Sequence, residues 1–251
     1  MKKLAVNWVL FICLCLSIPG LLYAADQLED GIKAVDKKDY MAAYQVFKKL
    51  AEQGNAEAQY NLAILYRQGK GIMQDHKLAL QWFEKAAQQG LASAEYYLGH
   101  LYDTGDGVTK DAAVAFGWYK KAAEKGNPLA QSNLGVAYAN GEGVGQDIIR
   151  AYVWFSLSAS QGLTAALENR NLLKKEMSEK LQANAQRLTT EYFNKYVAPF
   201  QPQSNKLTSS GHPGVRDAHQ RIQKPIPRRE PASSSGQPHQ EHGMEGHGKH
   251  K

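Results

Sequence analysis

An all-α solenoid of stacked helix-turn-helix units, followed by a disordered C-terminal tail, is the fold this sequence predicts. A shift of 36 residues superposes three consecutive blocks, 56–91, 92–127 and 128–163. Each block carries two apolar stripes at helical spacing, separated by a pair of glycines, which is the pattern of a repeated α-hairpin. The two ends differ in composition from these blocks and from each other, so each requires its own reading.

At the start, Met1-Lys2-Lys3 precedes the uninterrupted apolar run Trp8–Leu16, then Ser17-Ile18-Pro19-Gly20 and Leu22-Tyr23-Ala24-Ala25-Asp26. A positive start, a short apolar centre, a breaker and a small-residue exit are the parts of a secretory signal peptide, here 1–25, with cleavage after Ala24 or Ala25. The rival is a retained anchor, since Leu4–Ala25 offers 22 mostly apolar residues, enough to cross ~30 Å of hydrocarbon. Pro19-Gly20 and the alanine exit favour cleavage. The chain is then expected in a bacterial periplasm or outside the cell, with no membrane insertion after cleavage. The only cysteines, Cys13 and Cys15, follow Ile12 and Leu14, not the small residues of a lipidation site. They leave with the leader, which excludes disulfides, cysteine ligands and a cysteine nucleophile from the remainder.

Residues 26–55 read as a divergent first hairpin. Asp39, Ala43, Phe47, Ala51 and Gly54 match the second-helix positions of the blocks, while Val46 replaces a tryptophan and the upstream glycine loop is missing. Within 56–163 the alignment runs Ala58, Ala94, Ala130, then Leu62, Leu98, Leu134 and Tyr66, Tyr102, Tyr138. Next come the pairs Gly69-x-Gly71, Gly105-x-Gly107 and Gly141-x-Gly143, the acids Asp75, Asp111 and Asp147, and the tryptophans Trp82, Trp118 and Trp154.

In the first half of a block, Ala58, Leu62, Leu65 and Tyr66 share one helical stripe. The first glycine of each pair suits a left-handed helix end and the second a sharp turn. Asp75, Asp111 and Asp147 suit N-caps of the second helix. In that helix Ala79, Trp82, Phe83, Ala86 and Ala87 share a face, with each tryptophan expected to fill the gap beside an alanine of a neighbour. Helices of about 13 residues are marginal alone in water. Burying an indole of ~200 Å² contributes at most ~5 kcal/mol at ~25 cal/mol/Å², and only once another hairpin stacks on it. Stacking is therefore a condition of stability.

The segment 164–198 reads as a pair of capping helices. Residues 164–176 begin like a first helix and lose the register at Arg170, and Ser178 starts a closing helix with Leu181, Ala185, Leu188, Tyr192 and Tyr196 on one side. Residues 199–251 carry isolated apolar residues without period and cannot offset an ordering cost of roughly 1–2 kcal/mol per residue, so they read as disordered.

The net charge of +6 belongs to the ends: Lys2 and Lys3 supply two units and 199–251 four, leaving 26–198 neutral. A neutral folded part argues against nucleic acid as the partner, because phosphate binding needs a clustered basic face.

The spacing A-x-x-x-L-x-x-x-Y-x-x-G-x-G-[VI]-x-x-D-x-x-x-A-x-x-W-[FY]-x-x-A-A-x-x-G resembles the Sel1-like repeat, a relative of the tetratricopeptide repeat. The likeness covers 56–163 strongly and the flanking hairpins loosely. It departs from the pattern in the missing first glycine loop, in Pro128 where alanine is usual, and in the histidine-rich tail. The resemblance implies an adaptor that binds a protein or peptide, and for exported bacterial examples a link to envelope organisation or host contact.

Carried over position by position, the resemblance implies a concave groove lined by first helices. Its residues would be Glu57, Tyr60, Ile64, Arg67 and Gln68, then Ser93, Tyr96, His100, Asp103 and Thr104, then Leu129, Ser132, Val136, Ala139 and Asn140. The rows Tyr60–Tyr96 and Ile64–His100–Val136 would form an amphipathic strip suited to a peptide. The competing reading packs the tyrosines between hairpins and leaves the polar groups to water.

Six of eight histidines lie in the tail, and His239, His242, His247 and His250 form His-x-x-His twice. Imidazoles suit Zn(II), Ni(II) and Cu(II), although no fold holds these ligands in place; a solvated low-complexity tail is the alternative. Catalysis has no support. No G-x-S-x-G, S-x-x-K or H-E-x-x-H occurs, the recurrent G-x-G loops act as punctuation, and His76 reads as an exposed first-turn residue. The chain is thus expected not to be an enzyme.

Overall fold

The computed structural model describes residues 27–201. Pro199 and Phe200, assigned to the disordered tail from the sequence, instead belong to an ordered turn that packs on the last helix. The leader, residues 202–251 of the tail and the histidines His239, His242, His247 and His250 lie outside the described residues. Within them all regular structure is helical: α1 (27–36), α2 (Tyr40–Glu52), α3 (Ala56–Gln68), α4 (His76–Gln88), α5 (Ala92–Thr104), α6 (Ala112–Glu124), α7 (Pro128–Asn140), α8 (Ile148–Ser160), α9 (Thr164–Glu176) and α10 (Glu179–Tyr196). A single 3₁₀ turn, Ala198–Phe200, follows. From α2 to α9 each helix packs on the next in the chain, and α10 folds back against α8. This consecutive stacking is the solenoid that the 36-residue period predicts.

Side-chain caps fix the starts of the second helices α4, α6 and α8. Asp75 accepts from the Leu78 amide at 2.9 Å, Asp111 from Ala113 and Val114 at 2.9 and 3.0 Å, and Asp147 from Arg150 at 2.9 Å. The equivalent caps of the first helices carry no repeat-wide signal. Asn55 and Asn127 accept from Ala58 and Ala130 at 2.8 and 2.9 Å, whereas the aligned Leu91 has no side-chain cap and instead packs on the core.

The glycine pairs do different work from one another. Gly69, Gly105 and Gly141 are left-handed, with φ of 63°, 77° and 77°, and end their helices as expected. The second glycines serve a close approach and not merely a sharp turn. A Cβ on Gly71 would stand 2.6 Å from the Tyr40 carbonyl carbon, one on Gly107 would stand 2.9 Å from the His76 Cβ, and one on Gly143 would overlap the Ala112 carbonyl. Tyr40, His76 and Ala112 open α2, α4 and α6. Each loop therefore seats on the start of the preceding second helix, which sets the stacking distance between units.

The tryptophans depart from expectation. The rings that press against small residues belong to the next position along: Phe83, Tyr119 and Phe155 are buried. A Cβ on Gly99 would stand 2.6 Å from the Tyr119 ring, and one on Gly135 2.6 Å from Phe155. Trp82 and Trp118 lie half-buried at the outer edge of this core, with Lys85 and Lys121 Nζ each 3.9 Å from a ring centroid. Of the three repeat tryptophans only Trp154 is fully covered, and α10 covers it, with Tyr192 and Tyr196 at centroid distances of 5.5 and 5.6 Å. A helix of 3.6 residues per turn rotates neighbouring positions by 100°, so only one of the two adjacent aromatics can face the partner helix squarely.

A buried polar staple recurs at the same period. Gln59 accepts from Gln89 at 2.8 Å and donates to the Ala51 carbonyl at 3.1 Å; Gln131 accepts from Gln161 at 2.8 Å and donates to Ala123 at 3.2 Å. Each joins a first helix to the second helices before and after it. In the middle unit the pair becomes ionic: Lys125 Nζ lies 2.6 Å from Glu95 Oε1 and 2.9 Å from the Gly90 carbonyl. A carboxylate cannot donate, so the Ala87 carbonyl receives nothing from Glu95, and Glu95 Oε2 is buried without a hydrogen-bond partner.

Candidate functional site

The first helices α3, α5 and α7 present the residues named for the groove, and the structure divides them into three groups. Tyr60 and Tyr96 are buried, not displayed as a strip. Tyr60 meets Phe83 edge-on at 5.8 Å and Tyr97 at 5.5 Å, Phe83 and Tyr97 stack at 5.1 Å, and Tyr96 lies 5.9 Å from Tyr119. Burial, reinforced by the neighbouring phenols, pushes the Tyr60 and Tyr96 hydroxyls well above the ordinary tyrosine range. This ladder crosses from unit to unit, so these side chains hold the wall of the face together. Ser132 and Ala139 are also buried, as are His100 and Val136, so the Ile64–His100–Val136 row is not displayed as a strip either.

A second group forms a polar lattice at the carboxyl ends of α3 and α5. Arg67 Nε and Nη2 reach Asp106 Oδ2 at 2.9 and 2.8 Å, and His76 Nδ1 lies 2.8 Å from Asp106 Oδ1. His76 is thus tied across the unit boundary and is not simply an exposed first-turn residue. Arg67 also lies over the Tyr97 ring, 5.9 Å from its centroid. Thr104 donates to the His100 carbonyl at 2.8 Å, and Asn140 donates to Glu142 at 3.0 Å. Glu57 is exposed, while Ile64, Gln68, Ser93 and Leu129 are half-buried along the same helices.

The third group surrounds a cavity. His100, Asp103, Thr104 and Val136 line a pocket of about 40 Å³ together with Ala112, Ala115, Phe116, Tyr119, Asn133, Ala137 and Glu142. It opens between the carboxyl half of α5, the start of α6 and the carboxyl half of α7. Tyr119 is buried and its hydroxyl lies beside Asp103 and Asn133; burial first, and Asp103 next, push its ionisation far above the usual range, so the phenol stays neutral. First-helix positions alone do not reveal the contributions of α6 and of the loop after α7. Asn133 and Glu142 had no repeat-wide signal: their counterparts in the preceding unit are Tyr97 and Asp106. Among the described residues no group of three His, Cys, Asp or Glu side chains could hold a metal ion, and no helix is long and apolar enough to cross a membrane.

The Sel1 repeat family profile matches residues 22–55, 56–91, 92–127 and 128–163. No curated protein matches the chain. Among solved structures, it is similar to a protective antigen present in uropathogenic Escherichia coli strains displaying an SLR fold, with 28% identity and a TM-score of 0.51 over 74% of this chain and 50% of that one. It is also similar to a Sel1 repeat protein from Oxalobacter formigenes, 38% identical with a TM-score of 0.48 over 50% of this chain and 94% of that one. The chain spans about half the length of the Escherichia coli protein, matching 50% of it.

Proposed function

Since the chain belongs to the Sel1 repeat family, we propose that it is an exported, non-enzymatic scaffold that recognises a protein or peptide through the face of α3, α5 and α7. The observation that carries this reading is the pocket between α5, α6 and α7, where four of the groove residues named from sequence meet. Proteins built on this repeat are in general protein–protein interaction scaffolds, and the likeness to a protective antigen supports a location outside the cytoplasm. The buried tyrosines fix the spacing of the three helices, and Glu57, Thr104 and Asn140 meet the partner from the surface. An extended segment laid across successive units would touch the same position of each hairpin in turn.

Partners captured from envelope extract by the intact chain are compared with those captured by Glu57→Arg/Thr104→Arg/Asn140→Arg, and any partner lost is purified and titrated directly. These surface substitutions leave the aromatic ladder intact. Loss of direct binding is the expected result; equal affinity of the purified partner for both proteins sinks the assignment of this face.

The clustered histidines favour a second reading, in which the tail takes up Zn(II), Ni(II) or Cu(II) through His239, His242, His247 and His250. Calorimetry with each metal on the intact chain and on a chain ending before residue 237 separates the two, since heat that survives the deletion belongs elsewhere.

A further inference from the structure

We propose that the outer face of α6 docks an acidic amphipathic helix of a partner protein, one that carries two aromatic residues four apart. This face is distinct from that of α3, α5 and α7 and stands independently of the groove reading. The warrant is a docked helix already present in the fold. α8 packs on α7 and α9 much as α6 packs on α5 and α7, but α8 also has α10 laid across it. On α8, Val153, Trp154 and Leu157 are all buried, and Tyr192 and Tyr196, one helical turn apart on α10, close on the Trp154 ring.

The same stripe recurs 36 residues earlier in the open. Val114, Gly117, Trp118 and Lys121 stand at i, i+3, i+4 and i+7 of α6. Val114, Gly117 and Lys121 are exposed and Trp118 is half-buried. Outside α6, no described group lies within 4 Å of where a Gly117 Cβ would stand. The stripe thus offers an indole and a flat backbone beside it, the form that α10 covers one unit later.

Two differences from α8 specify the charge of the occupant. α10 brings a cation, Lys195, whose ammonium is held above the ordinary lysine range by Tyr196 first and then by Glu124 of α6. One unit earlier Gln88 stands where Glu124 does, and Lys121 stands where Leu157 does. The site has therefore lost a carboxylate and gained an ammonium, which lies 3.9 Å from the Trp118 centroid. A helix with the tyrosines of α10 and acids in place of its cations complements this face, and within a Debye length of about 10 Å the attraction needs no single fixed pair. The chain's own residues 202–251 do not match, being basic overall and without a Phe, Trp or Tyr.

The test titrates the purified full chain with labelled peptides of residues 179–197, followed by fluorescence anisotropy. The probes are the natural sequence, the acidic form Arg187→Glu/Lys195→Glu, and that acidic form with Tyr192→Ala/Tyr196→Ala added. Saturable binding of the acidic aromatic peptide is expected with a dissociation constant on the order of 100 μM, because a short helix must be ordered on binding. The other two peptides should bind about tenfold more weakly. In the chain, Gly117→Glu adds bulk and negative charge in open space, and Lys121→Glu reverses the cation; each should weaken the acidic peptide about tenfold with helicity unchanged. Since the two variants act separately, one remains informative if the other unfolds. Equal binding of the alanine peptide would mark plain charge attraction and overturn the proposal. Indifference to both α6 variants would overturn it too, as would binding lost in Trp154→Phe alone, which would mean that the peptide displaces α10. Self-association abolished by Gly117→Glu without peptide binding would assign the face to a second copy, and binding to phosphatidylglycerol vesicles without peptide binding would assign it to a lipid surface; either overturns the proposal. The Glu57→Arg/Thr104→Arg/Asn140→Arg chain should bind the acidic peptide as the natural chain does, so this face and the groove stand or fall separately.

Discussion

Lys125→Ala tests the ionic staple of the middle unit. The substitution removes the 2.6 Å partner of Glu95, whose side chain is 4% exposed, and strips the donor from the Gly90 carbonyl. Breaking a fully buried ion pair from one side costs about 3–5 kcal/mol, because the remaining charge has lost its water and gained nothing. Lys125 itself is 38% exposed, so solvent screens the pair, and about 2–3 kcal/mol is the discounted figure. For a domain of this size that corresponds to a drop in Tm of roughly 5–10 °C. Glu95→Gln/Lys125→Gln should recover most of the loss, finishing within about 1 kcal/mol of the natural chain. It rebuilds the Gln59–Gln89 and Gln131–Gln161 arrangement, and the new amide can donate to Ala87 as Gln59 does to Ala51. Urea and thermal unfolding followed by circular dichroism on the natural chain, Glu95→Gln, Lys125→Gln and the double variant complete the cycle, with Lys125→Ala measured alongside. Lys125→Ala within about 0.5 kcal/mol of the natural chain would refute the reasoning, as would a double variant less stable than Lys125→Ala.

Gly143→Ala should cost about 3 kcal/mol or more, since its φ of 69° is left-handed and its Cβ would overlap the Ala112 carbonyl, whereas Gly145→Ala, with nothing near its Cβ position, should be close to neutral in the same urea assay. Trp154→Ala, which empties the site under Tyr192 and Tyr196, should cost about 3–5 kcal/mol, against about 1 kcal/mol for the half-buried Trp82, as read from denaturant midpoints. Alkaline unfolding should begin above pH 10, because burial and the 3.3 Å hydrogen bond to Tyr44 push Tyr66 up from 10.0 to about 12. Tyr60, Tyr96, Tyr97, Tyr119 and Tyr192 shift the same way, mainly through burial. A raised folded value means the stabilisation is complete below the unfolded value near 10.0 and disappears as pH rises through the folded ones. Ultraviolet absorbance should show these phenols ionising together with loss of helicity; ionisation at pH 10 in a fully helical protein would contradict their burial.

Much of the fold was legible in the linear pattern. Thirteen-residue helices, the aspartate caps and the left-handed glycines follow from properties a residue carries in any context: spacing on a helix, reach of a short carboxylate, absence of a Cβ. The errors cluster where two positions compete for one contact. Trp82 and Phe83 are adjacent and both apolar, and periodicity alone does not say which ring is buried. Tyr60 and Tyr96 satisfy both a surface-strip pattern and a core pattern, because a tyrosine has an apolar body and a polar tip.

The candidate site was half legible for a related reason. His100, Asp103, Thr104 and Val136 lie on helices whose exposed face the repeat indicates, whereas Phe116, Tyr119, Asn133 and Glu142 reach the pocket only after α6 and α7 stack on α5. The sequence by itself determined the unit: its length, its two helices, its caps and its need for neighbours. The tertiary structure alone decided what the units share, namely the staple that turns ionic at Glu95, the loop that seats on the preceding helix, and the pocket. Each of these depends on groups about 30 residues or more apart in the chain, as Glu95 and Lys125 are. Their distance is set by how closely one hairpin lies on the next, and no local propensity encodes it.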